Sequence, residues 1–238
     1  MEENWIKIIK LFADGGYAGK LIEKVKEDPS AENYYLLGLW LRSVDTEDSL
    51  KHFNKALEID PNHAASMSSI AFYYQHKGML HEALKWFLKS IEHAPNDEKK
   101  ATYYSWTGSL YEKTGDYQNT LDIRLKAWNE LGGDYQQLAL IGDSYLKLER
   151  YGEAEKTLLE VIKDDIEDGN YHGTYCNLLI LYAQLQKFDK GKFYCDKALK
   201  QFPDSAHLLH YNAIFFAMMD NIAEARRNLK IAICQSSP

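Results

Sequence analysis

Residues 64–97 read as two amphipathic helices joined by a short turn, and this stretch sets the pattern for the chain. Small or apolar residues share one face of the first helix at helical spacing: Met67, Ile70, Ala71 and Tyr74. Gly78 marks the turn, and the pattern resumes on the second helix at Ala83, Phe87 and Ser90. Pro95 ends that helix, because proline lacks an N–H and its ring clashes with the preceding turn. Neither helix can bury its apolar face alone, so the pattern requires stacked copies.

The same pattern recurs in both directions with a period of roughly 34 residues. Four of the five prolines fall where a second helix must end, at intervals of 32, 34 and 108 residues: Pro29, Pro61, Pro95 and Pro203. The longest interval equals three slightly lengthened periods. Small residues also recur at one position of the first helix: Gly38, Ala71, Gly108, Gly142 and Ala213. They predict a close approach of the paired helices, and the period predicts an all-α repeat array.

We therefore expect a single array over residues 1–238, built from about seven antiparallel helix pairs. Residues 1–30 form a degenerate leading pair, in which Trp5, Ile8 and Phe12 share one face and Gly15 and Gly16 interrupt the helix. We expect this pair to cap the array. The six full repeats are predicted at residues 31–63, 64–97, 101–134, 135–171, 172–205 and 206–238.

These positions resemble those of the tetratricopeptide repeat family. That family has a small residue at position 8, an aromatic near 11, Gly at 15, Ala at 20 and 27, and Pro at 32; residues 64–97 match almost every one. The loop Gly115-Asp116-Tyr117 is similar to the turn of that family. The resemblance covers residues 31–238 and implies a right-handed superhelix, or α-solenoid. Its first helices would line a concave groove that receives a peptide or a partner helix.

The resemblance also implies which residues bind a partner, once the groove positions of the family are carried onto this chain. The expected groove residues are Tyr35, Leu39, Arg42, Ser68, Phe72, Gln75, Ser105, Ser109, Glu112, Asp143, Lys147, Ile180 and His210. Tyr35 and Phe72 are the expected anchors, since an aromatic hot spot contributes roughly 2 kcal/mol or more. The alternative is that these residues only pack between repeats. Some family members bind a C-terminal carboxylate through Lys, Arg and Asn side chains, but the matching positions here hold other residues, including Ser69 and Thr102.

The final predicted helix, at about residues 221–234, carries more apolar residues than one neighbouring helix can cover. Terminal repeats normally present a polar outer face. This helix instead carries Leu229, Ile231 and Ile233. Either more chain follows, or this assembly face docks against another surface such as a second copy of the chain.

Other residues that could carry chemistry have simpler explanations. His207 and His210 share a helix face, but no third ligand has a suitable spacing, so we expect no metal site. The acidic stretch 164–169 lacks the alternating ligands and the terminal Glu of a calcium loop, and we expect a solvated connector. No nucleophile motif, phosphate-binding glycine loop or carboxylate pair is present. We therefore expect no catalytic residues and no cofactor.

Charge and cysteine content narrow the expected location and partners. A formal net charge of −7 argues against nucleic acid as the main ligand. The acidic N-terminus does not resemble a secretory signal, and no apolar run approaches the roughly 18 residues of a membrane span. Three cysteines are too few for a disulfide framework. We expect a cytoplasmic chain that binds neither membranes nor nucleic acids.

Three functional hypotheses follow from the sequence. The favoured one is a protein- or peptide-binding adaptor or scaffold that uses the groove. The alternative is a structural subunit that self-associates or joins a larger assembly through its apolar C-terminal helix, as a homo-oligomer for example. An enzyme or ligand sensor is the third hypothesis, and no motif in the sequence favours it.

Overall fold

The computed structural model describes residues 17–43, 46–163 and 171–236. Within these ranges the chain forms thirteen α-helices and no β-strand, which confirms the all-α prediction. Two sequence predictions lie outside the described residues. These are the apolar face at residues 5–12 of the leading pair and the acidic stretch at residues 164–169.

Within the described ranges one helix precedes residue 31, and the other twelve helices follow in six pairs. The helices are α1 Tyr17–Glu27, α2 Ala31–Leu41, α3 Thr46–Ile59, α4 Ala64–His76, α5 Leu80–Glu92, α6 Asp97–Lys113, α7 Tyr117–Leu131, α8 Tyr135–Lys147, α9 Tyr151–Val161, α10 His172–Gln184, α11 Phe188–Gln201, α12 Ala206–Met218 and α13 Ile222–Ser236. Helix α6 begins four residues earlier than predicted. The Asn96 side chain accepts a hydrogen bond from the Lys99 N–H (2.9 Å), so Asn96 caps this earlier start.

The chain divides into two compact units, with the boundary between Asp116 and Tyr117. In the first unit, the helices α1 to α6 pack in chain order, each against the next. In the second unit, α7 to α13 do the same. A helix that contacts both its predecessor and its successor can bury two faces, which is how short amphipathic helices form a stable stack.

Small residues let the two helices of a repeat approach closely, as the sequence predicts. A Cβ atom on Gly38 would lie 2.6 Å from Cε1 of Phe53, and a Cβ on Gly142 would lie 2.7 Å from Cδ2 of Leu158. Both distances are too short for carbon atoms in contact. The prediction is therefore confirmed at these two positions, and any larger side chain would force the helices apart.

Aromatic rings form much of the core of the first unit. Phe53 and Phe87 are fully buried. The Phe87 ring lies 5.0 Å from the Phe72 ring at a nearly perpendicular angle, and the Phe72 ring lies 4.8 Å from the ring of Trp106. These edge-to-face contacts join helices α4, α5 and α6, so the packing between repeats depends on them.

The core of the second unit is a continuous cluster that includes Tyr175, Leu178, Tyr182 and Phe215, all fully buried. Gly191 of α11 leaves space for Phe215 of α12, since a Cβ there would lie 2.4 Å from the ring. The buried Cys195 thiol donates a hydrogen bond to the Leu208 carbonyl (3.3 Å). Helix α12 therefore covers the inner face of α11.

The turn inside a repeat has one geometry in five of the repeats. Its central residue has a positive φ of between 56° and 77°: Gly78, Gly115, Glu149, Gln186 and Asp220. The next residue donates its N–H to the carbonyl of the position-11 aromatic, as from Met79 to Tyr74 (2.9 Å). This bond satisfies a carbonyl at the helix end, as in a Schellman motif. Glycine adopts a positive φ freely, but Glu149, Gln186 and Asp220 do so at a cost.

Candidate partner-binding surface

A cavity of about 570 Å³ opens in the first unit where the C-terminal ends of α2 and α4 lie beside α3. We call it the α2–α4 cavity, and it is lined by Leu39, Arg42, Ser43, Thr46, Ser49, Phe53, Ser69, Phe72, Tyr73, His76 and Lys77. Three of the groove residues named above are among them, Leu39, Arg42 and Phe72, and the groove positions of the family also fall on Ser43 and His76. The first helices of two successive repeats therefore contribute to one concave surface.

The ends of α2 and α4 bring basic residues to the rim of this cavity. Arg42 and Lys77 are the C-cap residues of α2 and α4, and their N–H groups donate to the carbonyls of Gly38 (3.0 Å) and Tyr73 (3.1 Å). Cations are favoured at helix C-termini because the helix dipole is negative there. Local helix energetics thus explain why two cations flank the cavity.

Lys77 is already engaged by an acidic partner. Its ammonium lies 2.7 Å from Oε1 of Glu47, and the Tyr73 hydroxyl donates to the same oxygen at 2.7 Å. Two hydrogen bonds lower the pKa of Glu47 below its usual value, and the one from Lys77 has a larger effect than the one from Tyr73. This network closes one side of the cavity and leaves Arg42 and His76 as the remaining basic groups of the lining.

The two expected anchors are held by neighbouring side chains. Phe72 lies between Phe87 and Trp106, and only part of its ring faces the cavity. Tyr35 lies outside the lining, with its ring 5.3 Å from that of His63. Burial, and then the charge of Glu32, raise the pKa of the Tyr35 hydroxyl. Both residues therefore contribute to packing between repeats, which is the alternative that the sequence left open.

The other predicted groove residues of the first unit are distributed unevenly. Ser68 is buried, and its hydroxyl donates to the Ala65 carbonyl at 2.9 Å. Ser105 and Ser109 are exposed one turn apart on α6, while Gln75 and Glu112 are partly exposed. In the first unit, the accessible part of the predicted surface thus consists of the α2–α4 cavity, the small residues of α6, and the exposed parts of Gln75 and Glu112.

In the second unit, three of the four predicted groove residues pair with one another or pack against the core. Lys147 lies 2.8 Å from Asp143, whose other oxygen accepts a hydrogen bond from the Asn177 amide at 3.3 Å. Ile180 is partly buried against the core cluster. These contacts link the first helices α8 and α10 of successive repeats.

His210 lies in a second cavity, of about 470 Å³, at the last helix pair. This α12–α13 cavity is lined by Ala206, His207, His210, Tyr211, Leu229, Ala232 and Ile233. It joins a predicted groove residue, His210, to two predicted assembly-face residues, Leu229 and Ile233. Ile231 lies outside the cavity, and all three apolar residues of the assembly face are exposed.

Several lining residues were missed from the sequence, namely Thr46, Ser49, Phe53, Ser69, Tyr73 and Lys77 of the α2–α4 cavity. Phe53 lies on the second helix of its repeat, whereas the groove positions of the family lie on the first helix. Tyr73 and Lys77 each lie one residue beyond a groove position of the family. Periodicity identifies the face of a helix but not which neighbour leaves a gap beside it.

Comparison with known families agrees with the geometry of the repeats. A family model described as tetratricopeptide repeat matches residues 52–85, and another matches residues 172–205. Tetratricopeptide repeats therefore match this chain at residues 52–85 and 172–205, where the sequence resemblance implies them. A model for subunit 3 of the anaphase-promoting complex, or cyclosome, matches residues 76–161.

Several solved structures share this fold, and one of them is a tetratricopeptide repeat protein. A protein from Parabacteroides merdae is 18% identical with a TM-score of 0.65, over 93% of this chain and 80% of that one. The MamA RS-1 double mutant is 19% identical with a TM-score of 0.61, over 72% of this chain and 93% of that one. The Cut9–Hcn1 hetero-tetramer of the anaphase-promoting complex is 15% identical with a TM-score of 0.55. This match covers 94% of this chain and 44% of that one. At these identities the likeness shows the fold alone.

The thiols Cys176 and Cys195 and the His172 ring lie in the second unit, with Cys176 Sγ 3.9 Å from Nδ1 of His172. Burial raises the pKa of Cys176, and it raises the pKa of Cys195 to about 12, so neither thiol forms a thiolate readily near neutral pH. His172 bonds to the Ser205 hydroxyl at 2.6 Å. Residues 17–43, 46–163 and 171–236 contain no group of three side chains that could hold a metal ion.

In residues 17–43, 46–163 and 171–236, a membrane-spanning helix would need about 20 predominantly apolar residues. None of the helices described there is both long and apolar enough to cross a membrane.

Proposed function

We propose that this chain is a non-catalytic adaptor that binds a peptide or a partner helix on the surface formed by the first helices of its repeats. Tetratricopeptide repeats generally mediate protein–protein interaction. The observation that carries the proposal is the α2–α4 cavity, because it is open, concave and lined by the predicted groove residues Leu39, Arg42 and Phe72.

The small exposed residues of α6 support the same proposal. Ser105 and Ser109 lie one turn apart, so a partner could approach the backbone of α6 closely between them. The proposal includes a cytoplasmic location and a protein rather than nucleic-acid partner. The three free cysteines and the net charge of −7 support these two points.

The test replaces Ser105 and Ser109 together by Trp, so that two large side chains occupy the surface. The matched control replaces Lys126 and Glu130 by Trp; these residues are also exposed and one turn apart, but on the second helix α7. Both variants and the wild type are used for affinity purification from the native organism with quantitative mass spectrometry. We expect a partner that the control retains and the Ser105/Ser109 variant loses. Equal recovery with both variants would move the binding site elsewhere.

A second candidate function is assembly through α13. The side chains of Leu229, Ile231 and Ile233 are 42%, 38% and 60% exposed, which is unusual for three aliphatic residues on one terminal helix. Sedimentation velocity over a range of concentrations tests this. We expect the wild type to self-associate and a variant with Ile231→Glu and Ile233→Glu to stay monomeric. A wild type that is monomeric at every concentration would remove this candidate.

A further inference from the structure

We infer that the α2–α4 cavity binds an acidic segment of a partner protein, in which one apolar side chain enters the cavity and a neighbouring Asp or Glu meets Arg42. This inference deepens the proposed adaptor function and rests on it. It names a ligand chemistry for one part of the surface.

The volume and walls of the cavity suit an apolar side chain. At about 570 Å³ the cavity lies within the range of roughly 300–1,000 Å³ that is usual for ligand pockets. Leu39, Phe53 and Phe72 supply aliphatic and aromatic walls. Phe53 is fully buried and Phe72 is fixed between Phe87 and Trp106, so these two walls are rigid before a partner arrives. A preformed wall reduces the entropy that binding would otherwise lose.

The charges around the cavity select an acidic segment. Among the described lining residues, the charged side chains are the basic Arg42 and Lys77, and the His76 ring can donate a hydrogen bond. Glu47 already satisfies Lys77. Within the described ranges neither Arg42 nor His76 forms a salt bridge, so the guanidinium of Arg42 is available to a carboxylate. Arginine suits this role because its planar fork can bind both carboxylate oxygens.

Hydroxyl groups of the lining can meet the backbone of the segment. The Ser43 hydroxyl donates to the Trp40 carbonyl at 2.9 Å, which leaves its oxygen free to accept from a partner N–H. Thr46 is exposed at the same rim. The basic rim belongs to a chain whose net charge is −7, so the attraction is local to this cavity and not a property of the whole surface.

The experiment begins with selection of peptides from a random twelve-residue display library on the immobilised full chain. We expect enriched peptides with a Leu, Phe or Met next to Asp or Glu. The affinity of the most enriched peptide is then measured by fluorescence anisotropy against three variants: Arg42→Glu, Ser43→Trp and the control Arg226→Glu. Arg226 is exposed on α13 and undergoes the same change of charge. Circular dichroism confirms that each variant retains its helix content.

We expect Arg42→Glu to weaken binding about five-fold or more, Ser43→Trp to abolish it by filling the cavity, and Arg226→Glu to leave it unchanged. Added salt should weaken wild-type binding, because exposed charges are screened. Enrichment of peptides without Asp or Glu would overturn this inference, as would an equal affinity of the wild type and Arg42→Glu for the peptide. The proposed adaptor function would stand in both cases. Binding that survives Ser43→Trp would place the peptide outside the cavity. No enrichment of any peptide would count against both proposals.

Discussion

The middle repeats and the last repeat differ at one equivalent position, and the difference shows what buries a helix in this chain. Phe87 and Leu158 occupy position 24 of their repeats, and both are fully buried. Leu229 occupies the same position of the last repeat and is 42% exposed. Phe87 lies against Phe72 of its own repeat and Trp106 of the next. The hairpin itself thus covers one side of position 24, and the first helix of the following repeat covers the other.

The two cavities also differ in the exposure and the charge of their lining residues. The lining of the α2–α4 cavity includes Phe53, which is fully buried by its neighbours, and the basic residues Arg42 and Lys77 lie at the rim. The α12–α13 cavity includes Leu229 and Ile233, which are exposed, and the titratable residues in its described lining are His207, His210 and Tyr211. The first therefore resembles a site for one side chain with a charge beside it. The second is an apolar face with little to orient a ligand, as expected for an assembly contact.

The largest expected difference between a middle repeat and the last repeat comes from removing the position-24 side chain in each of them. Phe87→Ala should lower the free energy of unfolding by about 3–5 kcal/mol, because it opens a cavity between three helices. Leu229→Ala should lower it by less than about 1 kcal/mol, because much of that side chain is already in water. Urea denaturation followed by circular dichroism measures both. Similar losses for the two variants would show that the next repeat is not what buries this position.

A second pair of variants tests how much stability comes from the close approach of the two helices within one repeat. Gly38→Ala should destabilise the chain by about 1–2 kcal/mol, since the new methyl group would meet the Phe53 ring. Gly152→Ala in α9 is the matched control, because nothing lies within 4 Å of its Cβ position. This control should gain about 0.5–1 kcal/mol from helix propensity. The opposite signs would be visible as opposite shifts of the urea midpoint, and a stabilising Gly38→Ala would contradict the close approach.

The smallest expected effects are at the turns, which have the same geometry in the middle and last repeats. Gly78→Ala should cost about 1 kcal/mol, because alanine resists a φ of 75°. Gln186→Gly should gain up to about 1 kcal/mol, and Asp220→Gly should gain less, since Asp tolerates this conformation better than Gln. Thermal denaturation resolves these shifts. A loss of stability for Gln186→Gly would mean that the glutamine side chain contributes more than its backbone strain costs.

Much of the fold could be predicted because the repeat signals are local. The prolines and the apolar spacing gave helix positions that agree with the structure, apart from the early start of α6 at Asp97. Gly78 and Gly115 identified two turns, but Glu149, Gln186 and Asp220 adopt the same turn without a glycine. There the packing of the flanking helices overrides the local preference of the residue. The sequence alone does not show this strain.

The candidate surface could be predicted only in part, because it depends on contacts between helices. The family positions found Leu39, Arg42 and Phe72, but they also included the buried Ser68. They missed Phe53 and Lys77, which reach the cavity from a second helix and from a helix end. Whether a side chain on the correct face is accessible depends on the size of its neighbour in the next repeat.

The sequence by itself determined that the chain is all-α and which helix faces are apolar, because helical periodicity acts through neighbouring residues in the chain. Only the tertiary structure decided which apolar residues are covered and where a cavity remains between α2 and α4. Those outcomes depend on close packing between helices that are far apart in sequence. A single methyl group at Gly38 would be enough to change them.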